Sequence, residues 1–103
     1  MDSTKTRYYI SDWTYNKIYI LNNEYQYISE KSFNFPKKII SIGNNMYISG
    51  RYIWKTDRDL NVLIQFDGTN SLFMDIYFNS TNTLMYVPSY YLNSIQVFDL
   101  NLN

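Results

Sequence analysis

The chain has no histidine, no cysteine and no alanine among its 103 residues, and it has only three glycines and two prolines. Without histidine and cysteine it lacks the commonest general base, the thiolate nucleophile and the usual zinc ligands. Nine basic and nine acidic residues give a formal net charge of zero. This balance argues against a basic surface for nucleic acid and against a polybasic membrane anchor. We therefore expect no enzyme activity, no cofactor, no metal, no nucleic acid and no membrane partner.

Long apolar runs are also missing from the sequence. A membrane-spanning helix needs about 18 or more consecutive apolar residues, and a secretory signal needs an apolar segment near the N-terminus. Residues 1–7 are polar except for Met1. We therefore expect a cytoplasmic, intracellular location. The excess of Asn, Ile, Tyr and Lys without Ala is typical of AT-rich genomes, such as those of protists and giant DNA viruses.

Aromatic residues are abundant, with twelve Tyr, six Phe and two Trp making up 19% of the chain. Such residues favour β-strands, and the absence of Ala leaves no run of good helix formers. Short alternating runs separated by turn residues predict ten strands and no helix. The predicted strands are Arg7–Ser11, Lys17–Leu21, Tyr25–Ser29, Lys38–Ile42, Met46–Ser49, Tyr52–Thr56, Asn61–Phe66, Phe73–Phe78, Leu84–Val87 and Ser94–Asp99.

An internal repeat organises these strands. The motif Tyr9-Ile10-Ser11 recurs at nearly equal spacings as Tyr47-Ile48-Ser49 and as Tyr86-Val87-Pro88. The second copy is three residues shorter in the polar segment that follows, which is typical of a variable surface loop. A repeat of about 40 residues with four short strands has the size of a β-propeller blade.

The repeated residues resemble a known family. Tyr9-Ile10-Ser11-Asp12, followed by Asn16-Lys17-Ile18-Tyr19-Ile20, resembles the "Y-V-A-D … N-x-R-I-x-V-F" core of NHL-type propeller repeats. Tyr86-Val87, followed by 93–99, is similar to the same core and to the related YVTN-type repeat. Residues 35–42 are similar to the innermost strand that opens such a blade. The resemblance implies an all-β fold built from four-stranded antiparallel blades, whose strands are labelled A to D from the axis outward.

This labelling divides the chain into a disordered or extended N-terminus (1–6) and a partial β-propeller (7–103). Blade 1 has strands B–D over 7–33, blade 2 has strands A–D over 36–67, and blade 3 has strands A–C over 72–100. Two blade faces rich in Tyr, Ile and Phe then stay uncovered, which predicts self-association into a homo-oligomer, with a dimer favoured. Rings of five and of six blades both fit, and a fragment of a longer propeller is the alternative to assembly.

The candidate binding residues lie in loops between strands B and C, on the face where propellers often bind ligands. They are Asp12, Trp13, Tyr15, Tyr52, Tyr90 and Tyr91. Tyr and Trp offer large, rigid contact areas with a polar tip, which suits protein interfaces and sugar stacking. The alternative is that these rings pack between blades, as we expect of Trp54.

These residues predict a non-catalytic binding or scaffold module that presents its loops to another protein. A carbohydrate-binding lectin that stacks sugar rings on Trp13, Tyr90 and Tyr91 is the alternative. Least favoured is a hydrolase or lyase with Asp12 and Asp75 near the axis, because Asp at strand ends ordinarily caps turns.

Overall fold

The computed structural model describes residues 5–68, 72–89 and 94–103, and in these ranges the chain forms ten strands and no helix. The strands are β1 (Arg7–Asp12), β2 (Lys17–Asn22), β3 (Tyr27–Ser32), β4 (Lys38–Ile42), β5 (Asn45–Ser49), β6 (Ile53–Thr56), β7 (Val62–Phe66), β8 (Tyr77–Phe78), β9 (Leu84–Ser89) and β10 (Ser94–Asp99). They pair antiparallel into a first sheet β1-β2-β3, a middle sheet β4-β5-β6-β7 and a third sheet β8-β9-β10. The predicted number of strands is confirmed.

Eight of the ten strands differ from their predicted bounds, six of them by one or two residues at one end. β3 begins at Tyr27 and not at Tyr25, because Tyr25 has a positive φ of 64° and belongs to the preceding turn. The predicted strand Phe73–Phe78 shrinks to β8 and an isolated bridge between Phe73 and Ser89. There the carboxylate of Asp75 accepts the Ile76 N–H at 2.8 Å, which takes that donor away from the sheet.

Each sheet packs its apolar side chains against the next sheet. Ile18 and Ile20 of the first sheet meet Met46, Ile48 and Trp54 of the middle sheet in one buried cluster. A second buried cluster joins the opposite face of the middle sheet to the third sheet, through Tyr47, Ile53, Phe73, Met85, Val87 and Phe98. In the described part of the chain, the middle sheet is therefore buried on both faces and each outer sheet on one.

Three turns have the same geometry, and they follow β2, β6 and β10. We call them the shared turns; they are Asn22–Gln26, Asp57–Asn61 and Asp99–Asn103. In each turn, the side-chain Oδ1 of the first residue accepts the N–H groups of the residues two and four places later, at 2.8–3.1 Å. The fourth residue of each turn has a positive φ, between 61° and 65°. Asp57 and Asp99 therefore cap turns, as the sequence predicts, and Asn22 does the same in the first sheet.

The two aspartate caps predict acid sensitivity. Burial raises the pKa of Asp57, but hydrogen bonds from the Asn61 side chain and from backbone N–H groups outweigh it and leave the pKa lowered. The Asn103 and Asn101 backbone N–H groups lower the pKa of Asp99. A lowered pKa means that the caps stabilise the fold above the unfolded value of about 4, and that this stabilisation is lost as the pH falls through the folded value.

We expect the melting temperature to hold steady above about pH 5 and to fall as the pH drops below 4. The double variant Asp57→Asn/Asp99→Asn should lose less of its melting temperature between pH 5 and 3, because Asn22 shows that an amide oxygen serves the same turn. Thermal unfolding followed by circular dichroism measures both proteins. An equal acid loss in the two proteins would contradict the assignment of this sensitivity to the caps.

Candidate binding face

One edge of the three sheets gathers the turns and linkers that we call the loop face. It comprises residues 13–16 between β1 and β2, 33–37 between β3 and β4, 50–52 between β5 and β6, and the described part of 67–76 between β7 and β8. Backbone hydrogen bonds join these segments. The Phe33 N–H donates to the Asn16 carbonyl at 2.9 Å, and the Arg51 N–H donates to the Asn34 carbonyl at 3.0 Å. The loop face is therefore a connected surface.

Gly50 lies where two linkers meet. A Cβ atom at this position would lie 2.3 Å from the carbonyl oxygen of Phe35, which is closer than Cβ atoms approach other atoms in proteins. The Gly50 carbonyl also accepts the Phe73 N–H at 2.8 Å. Only a residue without a side chain lets the linker 33–37 run this close to the β5–β6 turn.

Asp12 shapes the first turn of the loop face. Its Oδ1 accepts the backbone N–H groups of Thr14 at 3.1 Å and Tyr15 at 3.2 Å. The half-buried carboxylate is thus engaged in holding the turn. The turn leaves the side chain of Trp13 52% exposed and that of Tyr15 72% exposed.

Lys37 lies over the exposed tryptophan. Its Nζ is 4.2 Å from the centroid of the Trp13 ring, a favourable cation–π distance. The backbone of Lys37 is fixed on both sides, because its N–H donates to the Ser49 carbonyl at 2.7 Å and its carbonyl accepts the Ser11 hydroxyl at 3.2 Å. No local sequence pattern indicates this pairing, since Trp13 and Lys37 are far apart in the chain.

Tyr52 lies on the next turn of the same face but is half-buried. Its ring packs edge-on against Trp54, with centroids 5.5 Å apart, and the Arg51 guanidinium lies 5.3 Å from its centroid. Trp54 itself is 3% exposed and donates its Nε1–H to Gln65 Oε1 at 3.1 Å. The predicted packing role of Trp54 is confirmed, and Tyr52 shares part of that role.

The structure thus brings Asp12, Trp13 and Tyr15 into one turn and Tyr52 into a neighbouring turn of the same face. Tyr90 and Tyr91 lie outside the described residues, so their assignment to this face stays a prediction. The binding role of all six residues is likewise a prediction.

The sequence-based selection missed three side chains of the loop face, Phe35, Lys37 and Arg51. Phe35 is 42% exposed, has a φ of 52° and donates its N–H to Asn16 Oδ1 at 2.9 Å. In a propeller, the linker from strand D of one blade to strand A of the next lies at the same edge as the B–C loops. Phe35 and Lys37 lie in such a linker, so they could have been predicted from the blade labels. The placement of two cations over aromatic rings had no signal in the sequence.

Within the described ranges, no three acidic side chains come together as a metal site would require. In that same part of the chain, no helix combines the length and apolarity needed to cross a membrane.

Neither a family model nor a curated protein matches this chain. Among solved structures, the chain is similar to the crystal structure of the RRP9 WD40 repeats, with a TM-score of 0.64 at 10% sequence identity over 96% of this chain. It spans only 35% of the length of that structure. At this identity the likeness shows the fold, and the chain is a partial β-propeller of three antiparallel sheets.

Proposed function

We propose that this protein is a non-catalytic β-propeller module that binds another protein through its loop face and associates with further copies of itself through its open sheet faces. The exposure of Trp13 carries the first part of this proposal. The chain has two tryptophans, and the one that packs between sheets is 3% exposed whereas Trp13 is 52% exposed. A large apolar ring held in water at a defined turn favours an interface.

The surroundings of Trp13 favour a protein partner. Trp, Tyr and Arg are the residue types that most often dominate binding energy at protein interfaces. Lys37 and Arg51 place cationic N–H donors beside the aromatic rings of Trp13 and Tyr52. Such a surface suits a peptide segment that offers an apolar side chain to the ring and carboxylates or carbonyls to the cations.

The acidic side chains of the loop face support a non-catalytic role. Asp12 accepts two turn N–H groups. Asp75 accepts the Ile76 N–H and the Tyr77 hydroxyl, and it lies 3.8 Å from Lys38 Nζ. Both carboxylates named as conceivable catalysts therefore hold local structure. The repeated Tyr-Ile motif supports our further proposal that the repeat is of the NHL or YVTN type.

Glycan binding is the second candidate, and the exposed rings of Trp13 and Tyr15 favour it. A sugar stacks on a bare ring face, as an aromatic platform provides. One face of Trp13 is occupied by Lys37, so a sugar would have to use the other face or displace the lysine. For this reason we favour a protein partner over a glycan.

A peptide-display selection against the whole chain tests the proposal. We expect Trp13→Ala to weaken the selected peptides at least tenfold and Lys37→Ala to weaken them severalfold, as for hot-spot residues. Leu63→Ala is the matched control, since Leu63 is 54% exposed but lies on β7, away from the loop face. Circular dichroism verifies that each variant is folded.

A glycan array with the same variants separates the two candidates. Glycan binding that disappears in Trp13→Ala, with no selectable peptide, would favour the second candidate. Peptide binding that survives unchanged in both loop-face variants would contradict the assignment of the site.

A further inference from the structure

Among the residues that the structure describes, nothing covers one face of the first sheet and one face of the third sheet. We call the open face of the first sheet the entry face and the open face of the third sheet the exit face. The cross-strand pairing and the alternation along each strand determine which side chains lie on each face. The entry face carries Tyr8, Ile10, Tyr19, Leu21 and Tyr27, and the exit face carries Tyr77, Leu84, Tyr86, Ile95 and Val97.

The exit face of the third sheet is equivalent, in the repeat, to the buried faces of the first and middle sheets that pack against the next sheet. Each shared turn is preceded, four residues before its first residue, by an isoleucine. These equivalent residues are Ile18, Ile53 and Ile95. Ile18 and Ile53 are both 0% exposed, because the next sheet covers them. Ile95 is 66% exposed, because no sheet of the described residues packs on that face of the third sheet.

The entry face repeats the complementary surface. Counting forward from the repeated tyrosine places Ile10, Ile48 and Val87 at one position. Ile48 and Val87 are both 0% exposed, because the preceding sheet covers them, whereas Ile10 is 48% exposed. The chain contains two equivalent sheet–sheet interfaces, between the first and middle sheets and between the middle and third sheets. The exit face and the entry face are equivalent to the two sides of these interfaces.

A hydrogen bond recurs in both internal interfaces and fixes their register. The Tyr9 hydroxyl donates to the Arg58 carbonyl at 2.6 Å, and the Tyr47 hydroxyl donates to the Leu100 carbonyl at 3.3 Å. Arg58 and Leu100 are each the second residue of the shared turn in the following sheet. The third repeated tyrosine, Tyr86, points from the exit face and is 36% exposed.

We propose that the exit face of one copy packs on the entry face of a second copy, with the Tyr86 hydroxyl donating to the Asn23 carbonyl of that copy. Asn23 is the second residue of the shared turn in the first sheet, and so the equivalent of Arg58 and Leu100. This inference rests on the proposed self-association and specifies its geometry.

The charges on the entry face are compatible with such packing. Lys17 and Glu30 pair with each other there, with Nζ and Oε2 2.6 Å apart. The hydrogen bond and charge of Lys17 lower the pKa of Glu30, so this carboxylate stays ionised at neutral pH. The described strand residues of the exit face, apart from Asp99 at its end, are apolar or tyrosine side chains. Asp12 on the entry face and Asp99 on the exit face each accept backbone N–H groups of their own turn, so both carboxylates are hydrogen-bonded within their own sheet.

Head-to-tail packing closes a ring when the number of sheets allows it. Each copy supplies three sheets, so two copies supply six and three copies supply nine. Propellers typically have about four to eight blades. A dimer of six sheets, with two identical interfaces related by a dyad along the ring axis, is the closure in that range.

Light scattering of the purified chain at micromolar concentration tests the assembly. We expect twice the mass of one chain, which is 12.4 kDa. Ile95→Arg and Ile10→Arg should each give 12.4 kDa, since both side chains are exposed in the single chain and their replacement leaves its core intact. Leu63→Arg, which replaces an exposed leucine on neither open face, should remain a dimer.

Mixing the two monomeric variants tests the head-to-tail order. The Ile10→Arg copy keeps its exit face and the Ile95→Arg copy keeps its entry face, so the mixture should form a heterodimer with one intact interface. If Ile95→Arg stays dimeric while Ile10→Arg does not, like faces pair and the inference is overturned, although self-association stands. A monomeric wild-type chain would overturn both, and neither result bears on loop-face binding.

Tyr86→Phe tests the register. Removal of one hydrogen bond from each of two interfaces should raise the dimer dissociation constant roughly tenfold. Tyr15→Phe on the loop face is the matched control and should leave the constant unchanged. An unchanged constant in Tyr86→Phe would overturn the proposed contact with Asn23.

Discussion

Replacement of Gly50 by Ala is expected to lower the free energy of unfolding by about 3 kcal/mol or more. The new Cβ would lie 2.3 Å from the Phe35 carbonyl oxygen and 2.9 Å from its carbonyl carbon. These are backbone atoms, so they cannot move aside as a flexible side chain would. Relief requires the linker 33–37 to shift, which breaks the hydrogen bond between the Arg51 N–H and the Asn34 carbonyl.

Gly43→Ala is the matched control for this substitution. Gly43 lies in the two-residue turn between β4 and β5 with a φ of 59°, and no atom beyond Gly43 and its two chain neighbours lies within 4 Å of the position of a Cβ. The cost there is conformational strain alone, about 1 kcal/mol. Urea denaturation of both variants measures the two costs. A Gly50→Ala variant no less stable than Gly43→Ala would contradict the close approach of the linker.

Trp54→Ala should cost about 3–5 kcal/mol, the usual effect of deleting a buried aromatic ring. The ring contacts Phe33 edge-on, with centroids 5.1 Å apart, and its loss also leaves Gln65 without its indole donor. Trp13→Ala should change stability by about 1 kcal/mol or less, because its ring is half in water. The two tryptophans therefore separate a packing role from a binding role.

Fluorescence makes this comparison direct, since the chain has only these two tryptophans. The variant Trp13→Phe should emit at shorter wavelength than the variant Trp54→Phe, because the remaining indole of the first is buried. Chemical denaturation gives the stability of the alanine variants. If Trp13→Ala destabilises the protein as much as Trp54→Ala, Trp13 is a core residue and the proposed loop-face site fails.

Alternation along the chain determined the strands, because it is a local property. Lys38–Ile42 and Ser94–Asp99 have the predicted bounds, and the Gly43-Asn44 turn joins its strands as its residue types predict. The repeated Tyr-Ile motif likewise predicted stacked sheets of one propeller type. The shared Asn and Asp turns were harder to find as a repeat, because the chain from Asp57 to Asp99 is longer than the chain from Asn22 to Asp57.

The tertiary structure decided which side chains of each motif copy are buried, because burial depends on the neighbouring sheet. Tyr47 and Tyr86 occupy the same position of the repeat, yet Tyr47 is 1% exposed and Tyr86 is 36% exposed. The difference arises because the third sheet packs on Tyr47, whereas no sheet of the described residues packs on Tyr86. No local pattern encodes such packing. The position of Lys37 over Trp13 and the close approach of the Phe35 carbonyl to Gly50 also depend on tertiary structure. In each case, strand pairing and sheet packing bring together atoms that are distant in the sequence.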